Sequence, residues 1–163
     1  MNANILKKDR GVTLVEVLVA AGIIMVFLTT LVSVHNTYLR SSFSNVDSVK
    51  ASFLGEEGIE AVKGIRDSSW SANISPTTNG TPYYLVFAGG VWTLTTTSSQ
   101  IDAKFYRKIT FSAVNRDASN AITNSGGTLD TNVRKVNSEV SWLDRGATTT
   151  RSIDTYITNI FSN

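Results

Sequence analysis

Residues 12 to 34 read VTLVEVLVAAGIIMVFLTTLVSV, a run of 23 broken by one charge, Glu16. A helix of that length spans roughly 34 Å at ~1.5 Å per residue, enough to cross a hydrocarbon core of about 30 Å. Its apolar residues fall on every side of the helix, which predicts a membrane segment and not the buried stripe of a soluble helix. Ahead of it, MNANILKKDRG (1–11) carries Lys7, Lys8 and Arg10 against one acid, Asp9. That cluster stays on the cytoplasmic side and sends residues 35 to 163 outward. An ordinary secretory signal has a shorter apolar core that ends at a small-residue cleavage site, and this run is too long for that.

The chain has 163 residues, one modest domain beside the apolar segment, so a multidomain enzyme is not expected. Its 15 Lys and Arg outnumber 13 Asp and Glu by two. The leader holds that whole excess, since residues 12 to 163 contain 12 basic and 12 acidic groups. A polyanion-binding surface is therefore not supported. There is no cysteine, hence no disulfide framework, thiolate metal site or cysteine nucleophile. Ser, Thr and Asn total 52, which suits a well-solvated exterior more than a catalytic cleft.

The order of parts at the front is specific: a short basic leader, Gly11, then Val12, Thr13, Leu14, Val15, Glu16 and the apolar run. It resembles the type IV prepilin family. The resemblance implies cleavage after Gly11, N-methylation of Val12 as the new terminus, and Glu16 as the acid that guides filament assembly. Family members more often begin the mature chain with Phe. Electrostatics supports Glu16 independently, because a free amine at a helix N-terminus is unfavourable and an acid near the first turn offsets it. A charge in an apolar helix is costly unless it is paired or reaches the headgroups, so it needs a partner or a place at the interface.

Beyond His35, apolar residues recur at helical steps through Leu39, Phe43, Val46, Val49, Phe53, Ile59, Val62 and Ile65. The pattern predicts one helix from Val12 to Arg66, whose stretch 39–66 lies across a sheet. Gly55, Gly58 and Gly64 each cost about 1 kcal/mol in helix propensity, so packing must hold this half. Residues 67–82 read as a loop. Strands are predicted at 83–87 and 91–97, joined by a glycine turn, then at 105–114, 133–143 and 148–161. Residues 116–132 read as a polar loop, and Asp144, Arg145 and Gly146 as a tight turn. The fold class is α+β, a long N-terminal helix on a four- to five-stranded antiparallel sheet; the resemblance implies the same pilin arrangement. The divisions expected are a leader (1–11), a membrane or filament-core helix (12–34), an amphipathic half (35–66) and a β head (67–163).

Other candidates have ordinary explanations. Glu56 and Glu60 form an i, i+4 carboxylate pair, which Lys63 converts to solvated helix charge. Residues 124–132 are rich in oxygen but hold one carboxylate, Asp130, too few for a calcium site. His35 stands alone at the end of the apolar run. Lys104, Arg107 and Lys108 interleave with Phe105 and Tyr106, a pattern able to grip single-stranded DNA and equally one of strand alternation. Asn73-Ile-Ser75 and Asn79-Gly-Thr81 match glycosylation acceptors by chance.

The sequence thus predicts a structural subunit of a type IV pilus-like filament, a minor pilin, with no reaction, cofactor or metal of its own. Its helical phrase from Glu56 to Val62 and the stretch 142–159 resemble minor pilins of the PilV/GspI type. Expected partners are other pilin subunits, prepilin peptidase, the assembly machinery and the membrane. The chain would lie in the bacterial inner membrane before assembly and in an external filament after it. The alternatives are a type II secretion pseudopilin and a signal-anchored binding domain that never polymerises.

Overall fold

A computed structural model describes residues 13–161. One helix dominates the first third: α1, Leu14–Ser68, 55 residues long. The chain divides after Phe43 into two compact units, the second being Ser44–Asn163.

In the first unit, α1 is long and apolar enough to cross a membrane, and no residue described there is buried. Four of its hydroxyls are satisfied within the helix. Thr29 and Thr30 donate to the Val26 carbonyl, Ser33 to that of Thr29, and Thr37 to that of Ser33, all at 2.8–2.9 Å. This back-bonding lets polar side chains sit in an apolar helix without an orphaned donor.

In the second unit α1 backs a sheet. A short helix α2 (Trp70–Asn73), capped by Ser69, follows it. The strands are β1 (Pro82–Ala88), β2 (Val91–Thr95), β3 (Gln100–Ile101), β4 (Phe105–Arg116), β5 (Ile122–Thr123), β6 (Thr128–Asp144) and β7 (Ala147–Thr158). They pair antiparallel in the order β2-β1-β4-β6-β7, with β3 and β5 as short additions to β4. The fold is α+β, as expected, with seven strands instead of four or five. Two of the seven are two-residue pairings, too short to register in the sequence as alternation.

Three further expectations are corrected. The helical stripe does not face the sheet along its length: Ala51, Gly55, Gly58, Ile59, Val62 and Ile65 are buried, whereas Val46, Val49 and Phe53 are exposed, Phe53 by 66%. At 100° per residue these sets lie on opposite sides, so this part of α1 is apolar on two faces. Residues 128–132, read as loop, begin β6. The ladder jumps from Ala113↔Arg134 to Val114↔Asp130, which leaves Thr131 to Val133 unpaired with β4. The shift resets the alternation, so Val114 points inward where strict alternation from Ile109 and Phe111 would put Ala113. Finally, the last strand stops at Thr158, short of Phe161.

The core joins Ile59, Val62 and Ile65 of α1 to Ile109, Phe111, Val136 and Ile157 of the sheet. Each such side chain contributes about 1.5–3 kcal/mol by burial. Two glycines set the approach of helix to sheet. A Cβ on Gly58 would lie 2.6 Å from Ser138 Oγ and 2.9 Å from Arg107 Cδ; one on Gly55 would lie 3.1 Å from Ile153 Cδ1. Packing thus offsets their poor helix propensity. Gly64 differs, with nothing within 4 Å.

Candidate functional site

The N-terminal end of α1 is where the sequence places the chemistry. Thr13 stands just before the helix, and its Oγ1 accepts from the Glu16 backbone N–H at 3.3 Å. Thr13 and Glu16 therefore have the spacing of a capping box, with the acid in the first turn where the helix dipole favours a negative charge. Glu16 is exposed, beside exposed Leu14, Val15 and Val17. Among the described residues of this unit it is the one acid. Gly11, Val12 and the leader bases Lys7, Lys8 and Arg10 lie outside the described residues. Sequence reasoning gave Glu16 an electrostatic role and missed the cap, although Thr-x-x-Glu ahead of an apolar run is its signature.

The head places the other candidates in structural roles. Glu60 pairs with Lys63 at 2.7 Å, as its spacing suggested, and Glu56 is exposed. The working carboxylate of that turn is their neighbour Glu57. Arg107, 5% exposed, donates from Nη1 to Glu57 Oε2 at 2.6 Å and to the Leu54 carbonyl at 2.9 Å. Its guanidinium also stacks on the Trp92 ring, 5.5 Å from the centroid. One buried arginine thus ties α1, β4 and β2 together. This pairing spans 50 residues in sequence, and no local pattern announces it.

The same geometry dismantles the candidate DNA grip. Phe105 and Arg107 point into the core, Lys104 pairs with Asp47 and Lys108 with Glu139. Only Tyr106 of that run is left on the surface without an opposite charge drawn to it. Asp130 accepts from Arg116 Nε at 2.6 Å and from the Asn132 N–H at 2.9 Å. Those two hydrogen bonds, Arg116 first, hold its carboxyl below the usual 3.8. Its oxygens are engaged by an arginine, an arrangement that brackets the β4–β6 irregularity. His35 is exposed. Asn73 donates to the Ile65 carbonyl and Ser68 Oγ, and Asn79 Oδ1 accepts from Arg134, so both amides are used within the head.

A comparison with protein families matches residues 6–32 to the prokaryotic N-terminal methylation motif. The match begins in the basic leader, runs through Gly11, Val12 and Glu16, and ends within the apolar helix. No curated protein and no solved structure matches the chain. The motif implies processing by prepilin peptidase and assembly into pilus-like polymers. Together with the apolar helix it fits an inner-membrane-anchored precursor. At its N-terminus the chain carries the type IV prepilin signature, that of a pilin-like or pseudopilin precursor.

Proposed function

We propose that the chain is a minor pilin: a structural subunit with no reaction of its own, cleaved after Gly11, N-methylated on Val12 and built into a filament through its N-terminal helix. The supporting observation is the coincidence of the methylation motif at 6–32 with a helix that is apolar on all sides and buried nowhere in its first unit. Such a surface is stable only in lipid or against other apolar helices. In this reading lipid surrounds it before assembly and neighbouring subunits afterwards. Glu16 then meets the Val12 amine of an adjacent subunit, a pairing worth far more among apolar helices than in water. The exposed Val46, Val49 and Phe53 extend the contact surface along the outer side of α1.

The test is the intact mass and N-terminal sequence of the protein from a host with prepilin peptidase, beside Gly11→Ser and a host lacking the enzyme. A chain that begins at Val12 and is one methyl heavier, with the leader kept in both controls, is the expected result. Retention of Met1 in every sample removes the basis of the proposal. Glu16→Ala should be processed normally yet be missing from sheared filaments, and the wild-type chain should form a small fraction of them. A filament built chiefly of this chain would make it a major subunit instead.

A further inference from the structure

The β1–β2 hairpin turns at Gly89 and Gly90, whose φ of +61° and +83° belong to a two-residue type I′ turn. That turn makes Ala88 and Val91 a hydrogen-bonded pair. Alternation then gives the inward bonds to Val86 with Thr93 and to Tyr84 with Thr95. The other two residues, Trp92 and Leu94, direct N–H and C=O away from β1. Since β2 ends the strand order, no strand among the described residues meets those groups.

A groove of about 620 Å³ runs beside them. Residues Gly90 to Leu94 all line it, odd and even alike, so it reaches the edge of β2 as well as the inner face, where Tyr83 of β1 joins the lining. The opposite wall comes from the end of α1 and the segment after it, with small residues at Gly64, Ser68 and Ala72. A Cβ on Gly64 would meet nothing within 4 Å, which leaves that wall open. No charged side chain lines the groove. β2 supplies five residues, about 17 Å of ladder at ~3.3 Å each.

We propose that this groove takes up a single extended, uncharged polypeptide segment as an added strand, hydrogen-bonded to the backbone of Trp92 and Leu94. The chemistry is strand addition: backbone groups supply the bonds, and alternate side chains enter the groove. The end of α1 and the segment after it face β2 across the groove, which suits a single added strand. The edge of another sheet would bring its own neighbour about 4.8 Å behind it, into that wall. A second copy joining through its own edge strand β7 is the rival occupant, and the test separates it. The neutral lining disfavours a segment rich in Lys or Glu, whose charges would lose water without gaining a partner. The inference stands apart from the filament reading and needs no assembly.

The experiment uses the full ¹⁵N-labelled chain in detergent micelles, titrated with acetyl-Thr-Val-Ser-Val-Thr-amide. Binding should slow hydrogen exchange at the Trp92 and Leu94 amides and leave Val91 and Thr93 unchanged. Two analogues carry the decisive contrast, one N-methylated on both Val residues and the other on the remaining three. An added strand bonds through one parity only, so one analogue should lose about tenfold or more in affinity and the other bind like the parent. Gly64→Leu, which fills the groove, should lose binding to a similar degree with an unchanged amide spectrum elsewhere. Equal behaviour of the two analogues, or full binding to Gly64→Leu, would overturn the proposal. So would protection of Trp92 and Leu94 that grows with protein concentration alone, which would assign the edge to a second copy. Should Gly64→Leu fail to fold, the analogue pair decides by itself.

Discussion

Gly58 and Gly64 are the same residue on the same helix with opposite consequences. At Gly58 a methyl would press on Ser138 Oγ and Arg107 Cδ, both held in the core. Gly58→Ala should therefore destabilise the head by about 1–3 kcal/mol despite its better helix propensity. Gly64→Ala meets open space and should be neutral or stabilising by up to about 1 kcal/mol. Denaturant unfolding of both variants in detergent, followed by tryptophan fluorescence, checks the contrast; equal effects would mean that helix and sheet are not in the contact described. The sequence made all three glycines look alike, because their meaning lies in what stands across from them. Arg107 taught the same lesson from the other side. Its neighbours Lys104 and Lys108 made it look like surface charge, and only the strand register to α1 made it a buried tie. Glu16 stands out in the sequence because its setting is local: a glycine, a spacing and an apolar run.

At the scale of elements, the extent of the helix and the main strands followed from periodicity; the stripe on α1 misled because the helix is apolar on two faces, and the chief strand error fell where pairing breaks the alternation. The β4–β6 ladder skips three residues, and a pattern of period two cannot foretell which side the chain takes after the skip. Asp130 closes that irregularity and gives it a pH dependence. The folded head favours its carboxylate, so its folded pKa lies below the unfolded value of ~3.9. Its contribution is complete above about pH 4 and is lost as pH falls through the lower, folded value. Asp130→Asn should thus lower the melting temperature at pH 7, through about 1 kcal/mol or less for a partly exposed pair, and the gap should narrow as the pH is taken below about 4. A gap that persists there would show that the carboxylate charge is not what holds the site. The outward stripe of α1 makes a second prediction. Val46→Ser with Phe53→Ser removes exposed apolar surface alone, so the head should melt as before while incorporation into filaments falls several-fold. Co-purification with sheared filaments measures it, and unimpaired incorporation would take that stripe out of the contact surface.

For the whole molecule, the front of the chain settled the class because a membrane imposes length and charge rules that a sequence displays openly. The head left no such trace of its partners, since its loops answer to solvent and its strands to each other. Orientation gives the test at this scale. Replacing Lys7, Lys8 and Arg10 by Gln removes the charge expected to keep the leader on the cytoplasmic side, and a larger share of heads should then resist protease added outside spheroplasts. An unchanged protease pattern would show that the leader charge does not set the orientation. The intrahelical hydroxyl bonds of Thr29, Thr30, Ser33 and Thr37 have a mechanical consequence. Because each hydroxyl spends its hydrogen on its own helix, it offers neighbouring helices little directional grip. Packed together, such helices can turn and slip past one another without bonds to break, like lubricated rods. A fibre built on such helices would yield under tension by sliding, because those hydroxyls hold no neighbour in place.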